Sequence, residues 1–81
     1  MAKAKKVVLY SSAKCAKCRE AKQYLVAKGI AFVEFDVQKS RRGAKEFARL
    51  NGRGVPILIV GSARMDGFDK RRFEQLYHEA L

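Results

Sequence analysis

The chain holds only two cysteines, one proline and eight acidic residues in 81 positions, and each scarcity rules something out. The cysteines, Cys15 and Cys18, close a loop too short to constrain much of an unfolded chain. That excludes a disulfide scaffold, which needs more cysteines spread further apart. A zinc site is also short of donors, because His78 is the only imidazole available to join the pair. No apolar run approaches the length of a membrane span. The basic start Met1-Ala2-Lys3-Ala4-Lys5-Lys6 imitates the head of a secretion signal, but the apolar stretch behind it stops at Tyr10 and no small-residue cleavage site follows. The expectation is a reducing, cytoplasmic setting without membrane contact. No linker, repeat or low-complexity tract divides the chain, so residues 1–81 read as one small domain.

The shortage of acids leaves 18 Lys and Arg against 8 Asp and Glu, a formal net charge of +10. Such a balance raises nucleic acid as a partner. The basic residues are scattered, however, with no zinc-finger spacing and no RNA-binding aromatic signature among them. The expectation is a basic surface that attracts anionic molecules without specific nucleic-acid recognition.

The most informative feature present is Cys15-Ala16-Lys17-Cys18. It follows a short apolar run, Val7 to Ser11, that reads as a buried strand, and it opens a segment with helical periodicity. Two thiols at this spacing can form a disulfide with each other. At a helix N-terminus the first sulfur meets backbone N–H donors and the positive end of the helix dipole, which favour thiolate over thiol. Lys14 and Lys17 flank it.

The helical stripe carries Cys18, Ala21, Leu25 and Val26, with Gly29 as its stop. Ile30 to Val37 reads as a second strand, completing a βαβ unit with two parallel strands. Ser40 can cap a second helix whose inner face carries Ala44, Phe47, Ala48 and Leu50, stopped by Asn51-Gly52. Val55 to Val60 is a third strand with the lone proline, Pro56, near its start. Arg64 to Asp66 is a brief fourth. Asp69 can cap a last helix with Phe73, Leu76, Tyr77 and Ala80 on one face. Tyr10, Phe32, Phe35, Phe47 and Phe73 read as core, Met65 as an edge-strand filler and His78 as surface.

The order β-α-β-α-β-β-α, a Cys-X-X-Cys after the first strand and a Val-Pro before the third together resemble the thioredoxin fold, an α/β fold in which three helices flank a four-stranded mixed sheet. Within it, residues 6 to 80 resemble glutaredoxins and glutaredoxin-like redoxins. The resemblance is carried by Cys15-Ala16-Lys17-Cys18, Gly54-Val55-Pro56 and Gly67-Phe68-Asp69. The chain departs from that family in several places. Ala16-Lys17 stands where glutaredoxins usually have Pro-Tyr, Ser12 where a lysine is common, Gly54 for the threonine before Val-Pro, and Lys70 for a second acid. Arg53 matches an arginine of the pattern.

The resemblance implies a dithiol–disulfide oxidoreductase with Cys15 as nucleophile and Cys18 as the resolving thiol, acting on protein disulfides or glutathione mixed disulfides. It implies a cis bond before Pro56 and a Val55 backbone that docks extended substrate. Gly67, Phe68 and Asp69 would hold the γ-glutamyl end of glutathione, Arg53 and Lys17 would meet its other carboxylate, and Lys14 joins them as a substrate- or glutathione-binding candidate. No bound cofactor or metal is expected; glutathione enters as a possible co-substrate. The expected state is a monomer, reduced by glutathione or by thioredoxin reductase. Two other readings stand beside this one. One is a redox-regulated basic binding module, which has no reason to activate a thiol. The other is an iron–sulfur carrier dimer, against which the dithiol motif counts.

Overall fold

The computed structural model describes residues 6–78. Its elements run β1 (Val7–Ser11), α1 (Ala16–Ala27), β2 (Val33–Asp36), α2 (Arg41–Arg49), β3 (Ile57–Val60), β4 (Ala63–Asp66) and α3 (Lys70–His78), the order expected from the sequence. The strands form one mixed sheet in the order β2-β1-β3-β4. β1 is parallel to β2, with Val8 opposite Val33, and antiparallel to β3; β3 and β4 are antiparallel. The parallel pair needs a crossover, and α1 supplies it.

Strand alternation divides the sheet into two faces. Val7, Leu9, Leu58, Val60 and Met65 share a face with Ala21 and Leu25 of α1 and Phe73 and Leu76 of α3, forming the hydrophobic core. Tyr10 and Phe35 point to the other face, which α2 covers, and stack at 5.7 Å between ring centroids. Of the aromatic residues expected in the core, Tyr10 and Phe73 are buried, whereas Phe32, Phe35 and Phe47 are half-buried. Met65 is buried on the edge strand and His78 is exposed, as read.

Backbone groups at the helix ends explain the boundaries. Gly29, just past the C-cap Lys28, stops α1 with a φ of +69° that suits a residue without Cβ. The Gly29 N–H donates to the Val26 carbonyl and the Ile30 N–H to that of Leu25. Ile30 is thereby part of the helix stop, so β2 starts at Val33 and not at Ile30. At its other end the Asp36 carboxylate accepts the N–H groups of Gln38 and Lys39 and turns the chain before Val37 can extend the strand. β3 likewise starts at Ile57, because Pro56 has no N–H to add to the ladder. The Val55–Pro56 bond is cis, as the family resemblance implied. Val26 departs from the expected stripe: it is 65% exposed, lying off the face that buries Cys18, Ala21 and Leu25. Ala80 lies outside the described residues. Among those described, no helix is long and apolar enough to cross a membrane.

The inner face of α2 also differs from expectation. Ala44 and Ala48 are exposed, Phe47 and Leu50 are half-buried, and the buried residue is Gly43. The Gly43 N–H donates to the capping Ser40 hydroxyl at 2.9 Å. A Cβ on Gly43 would sit 2.9 Å from the Phe35 Cβ and 3.2 Å from Ser40. Close approach of helix to sheet therefore requires glycine, despite its low helix propensity. Gly43→Ala gains about 1 kcal/mol of intrinsic propensity but incurs overpacking of about 1–3 kcal/mol. A net loss of up to about 2 kcal/mol in urea denaturation is expected; a stabilised variant would contradict this account of the contact.

Candidate active site

The site forms where β1 runs into α1. A turn closed by the Cys15 N–H on the Ser12 carbonyl, at 3.3 Å, carries the chain out of the strand. Cys15 is the N-cap of α1, with extended backbone (φ −101°, ψ 111°), and its carbonyl accepts the Arg19 N–H. Helix starts leave their first N–H groups without intrahelical partners. Here the Cys15 sulfur takes one of them, from the Cys18 backbone at 3.1 Å. A sulfur that accepts from an orphan N–H at the positive end of a helix is placed where negative charge is stabilised.

One turn on, Cys18 is buried at 3% exposure while Cys15 remains half-exposed. Burial, followed by the hydrogen bond with the Cys15 side chain, pushes the Cys18 thiol up to about 12; the charge of Glu34 adds a smaller push in the same direction. One sulfur is thus open and accepts a helix-start N–H, and the other is enclosed and held protonated by burial. Both are free thiols.

The cis Val55–Pro56 segment faces them from across the sheet. The Cys15 thiol donates to the Val55 carbonyl at 3.6 Å, which brings residues forty positions apart to one point. The Pro56 carbonyl in turn accepts the Gly67 N–H at 2.8 Å, and Gly67 adopts a φ of +87° that favours glycine. A groove of about 620 Å³ runs along these residues, with Lys17, Phe68 and Asp69 among its walls. The Asp69 carboxylate accepts the Arg71 and Arg72 N–H groups and so caps α3 as expected. Phe68 is 8% exposed and packs on Tyr24 and Phe73, so its ring belongs chiefly to the core.

The structure brings Cys15, Cys18, Lys17, Val55, Pro56, Gly67, Phe68 and Asp69 together. Lys14 and Arg53 are exposed and do not line the groove; its arginines are Arg64 and Arg72, which the sequence reading missed. Arg72 could have been found from its place three residues after the capping Asp69. Arg64 could not, because only the β3–β4 register sets it beside the groove. Among the described residues, no group of three His, Cys, Asp or Glu side chains is placed to hold a metal ion.

A family model described as glutaredoxin matches residues 7–64. A glutaredoxin-like 8.6 kDa protein encoded in the rubredoxin operon of Clostridium pasteurianum is 30% identical over 71 residues, covering 86% of this chain and 95% of that one. The crystal structure of the thioredoxin-like protein BC3987 superposes with a TM-score of 0.79 at 22% identity, covering 86% of this chain and 97% of that one. NrdH-redoxin from Escherichia coli, a glutaredoxin-like protein described by its thioredoxin-like activity profile, superposes with a TM-score of 0.77 at 22% identity, covering 94% and 99% of the two chains.

Proposed function

The chain belongs to the glutaredoxin family, and on that premise we propose that it is a dithiol–disulfide oxidoreductase that reduces protein disulfides or glutathione mixed disulfides. The observation that carries this reading is the Cys15 sulfur, held at once by the Cys18 N–H and beside the Val55 carbonyl. A half-exposed thiol at a helix start, beside a backbone carbonyl of a neighbouring loop, suits thiol–disulfide exchange on an extended substrate.

In the first step the Cys15 thiolate attacks a substrate sulfur in line with the disulfide. A mixed disulfide forms and one substrate thiolate leaves, protonated by solvent. In the second step Cys18 attacks the Cys15 sulfur and loses its proton. The second substrate sulfur departs as a thiol, and the Cys15–Cys18 disulfide remains. Two electrons pass from the dithiol to the substrate; glutathione or thioredoxin reductase returns them. No bound cofactor or metal takes part in either step. The protein acts as a monomer in a reducing, cytoplasmic compartment. Its net charge of +10 speeds encounters with anionic partners, an effect that salt screens beyond about 10 Å at 0.1 M.

The test offers the oxidised protein NADPH with glutathione and its reductase, and separately NADPH with thioredoxin reductase. NADPH oxidation coupled to reduction of a disulfide substrate is expected with at least one system. Failure with both, from folded protein, would overturn the assignment. The winning system identifies the physiological electron donor.

A further inference from the structure

We propose that Glu34 is the proton acceptor for Cys18 in the resolving step, working across a polar cleft that shares no residue with the substrate groove. The proposal rests on the oxidoreductase reading above and adds to it the residue that makes the second step possible at neutral pH.

Resolution presents a chemical problem. Cys18 must attack as a thiolate, yet its buried sulfur is held strongly in the protonated form. A base close to it is required, and few are available. The lone histidine, His78, is exposed on α3 and lines a separate hollow with Tyr24 and Phe73. Asp69 caps α3.

The sheet places Glu34 on the same face as α1. It lies opposite Leu9 on β1, two rows from the opening that Ser11 and Asp36 border. Cys18, Ser11, Lys22 and Glu34 line a common cleft of about 390 Å³. Ser11, the one buried polar residue among those described, donates its hydroxyl to Glu34 Oε2 at 2.7 Å. Lys22 Nζ lies 3.0 Å from Glu34 Oε1. Both carboxylate oxygens are therefore held, and each keeps capacity for a further proton donor. The charged groups facing this carboxylate are Arg19 and Lys22 from α1 and Asp36 from β2. Asp36 borders the same cleft, but of the two carboxylates it is Glu34 whose charge bears on the Cys18 thiol.

The step balances as follows. The Cys18 proton passes to the Glu34 carboxylate, directly or through solvent in the cleft. The Cys18 sulfur forms its bond to Cys15 as the bond from Cys15 to the substrate sulfur breaks, and that sulfur leaves as a thiolate and is protonated. Glu34 then returns its proton to solvent.

The aromatic disulfide of nitrothiobenzoate separates the two steps optically. Its first coloured release reports attack by Cys15, and its second reports resolution by Cys18. In E34Q the first phase is expected to be unchanged, and a circular dichroism spectrum matching the wild type shows that the variant is folded. The second phase is expected to slow about 100-fold at pH 7, the low end of general-base effects. Between about pH 6 and pH 8 the wild-type second phase is expected to be nearly flat, whereas in E34Q it climbs with each pH unit as hydroxide takes over. E34D keeps a carboxylate in the cleft, and partial recovery of the second phase relative to E34Q is expected.

A purely electrostatic role predicts the opposite sign. Removing the negative charge would ease ionisation of Cys18 and make E34Q resolve faster. An unchanged or accelerated second phase therefore overturns the proposal. Absence of both phases in the wild type would instead overturn the oxidoreductase reading.

Discussion

Cys15→Ser is expected to abolish disulfide reduction, while Cys18→Ser stops the cycle one step later with substrate still attached. The difference follows from the positions of the two sulfurs. Cys15 is half-exposed at the helix cap and accepts the Cys18 N–H at 3.1 Å. Serine there retains the hydrogen bond but is a far weaker nucleophile at neutral pH, because its hydroxyl ionises well above any thiol. Turnover should fall by at least about 1,000-fold, as expected when a covalent nucleophile is removed. Cys18 is enclosed, and its replacement leaves the first attack intact. Mass spectrometry should then find a stable adduct of the Cys18→Ser protein with one substrate half, released by an external thiol. Substantial turnover in the Cys15→Ser protein, or an adduct on Cys18 in it, would reverse the roles assigned here.

The largest effect on stability is expected from Phe73→Ala. Phe73 is fully enclosed, with Tyr24, Phe68 and Tyr77 around it at ring-centroid distances of 5.7, 6.4 and 5.5 Å. Its ring joins α3 to the sheet. Removing it forfeits the transfer free energy of the ring and leaves a cavity, together about 3–5 kcal/mol. Small proteins hold only about 5–15 kcal/mol in total, and a chain of 81 residues lies towards the low end. Thermal unfolding should shift down by about 15 °C or more, with a matching loss in urea. Val26→Ala makes the contrast: a comparably apolar residue on a helix, but 65% exposed, so its loss should cost under about 0.5 kcal/mol. Equal costs for the two variants would mean that burial does not order stability in this fold.

Sequence reasoning succeeded where one residue type does one local job. Ser40 and Asp69 cap helices because their side chains accept orphan N–H groups, and Gly29 ends α1 because its backbone is left-handed. Cys15-Ala16-Lys17-Cys18 and Val55-Pro56 meet because the order of elements places both at one end of the sheet. The reading faltered where a neighbour decides. Whether Ala44 or Gly43 faces inward depends on how closely α2 approaches Phe35, which no periodicity within α2 records. The length of β2 is set by hydrogen bonds at its ends and not by its β-branched content. Within the run Ile30 to Val37, nothing in the sequence marks Glu34 for chemistry. Only the register that sets it opposite Leu9, with α1 above, makes it a neighbour of Cys18.

The groove beside Cys15 is tied into the body of the protein on several sides. Gly67 is bonded to Pro56, Arg64 pairs with Asp66 at 2.8 Å, and the same arginine reaches across to the Leu50 carbonyl at the end of α2. Association normally loses free energy to ordering loops and side chains at the contact. Under the proposed function this wall is tied down before a substrate docks, so that entropic penalty falls mainly on the incoming segment. A flexible tail bearing a disulfide and a rigid folded partner would then differ in affinity chiefly through their own loss of freedom, and this favours partners whose disulfide is already presented in extended form.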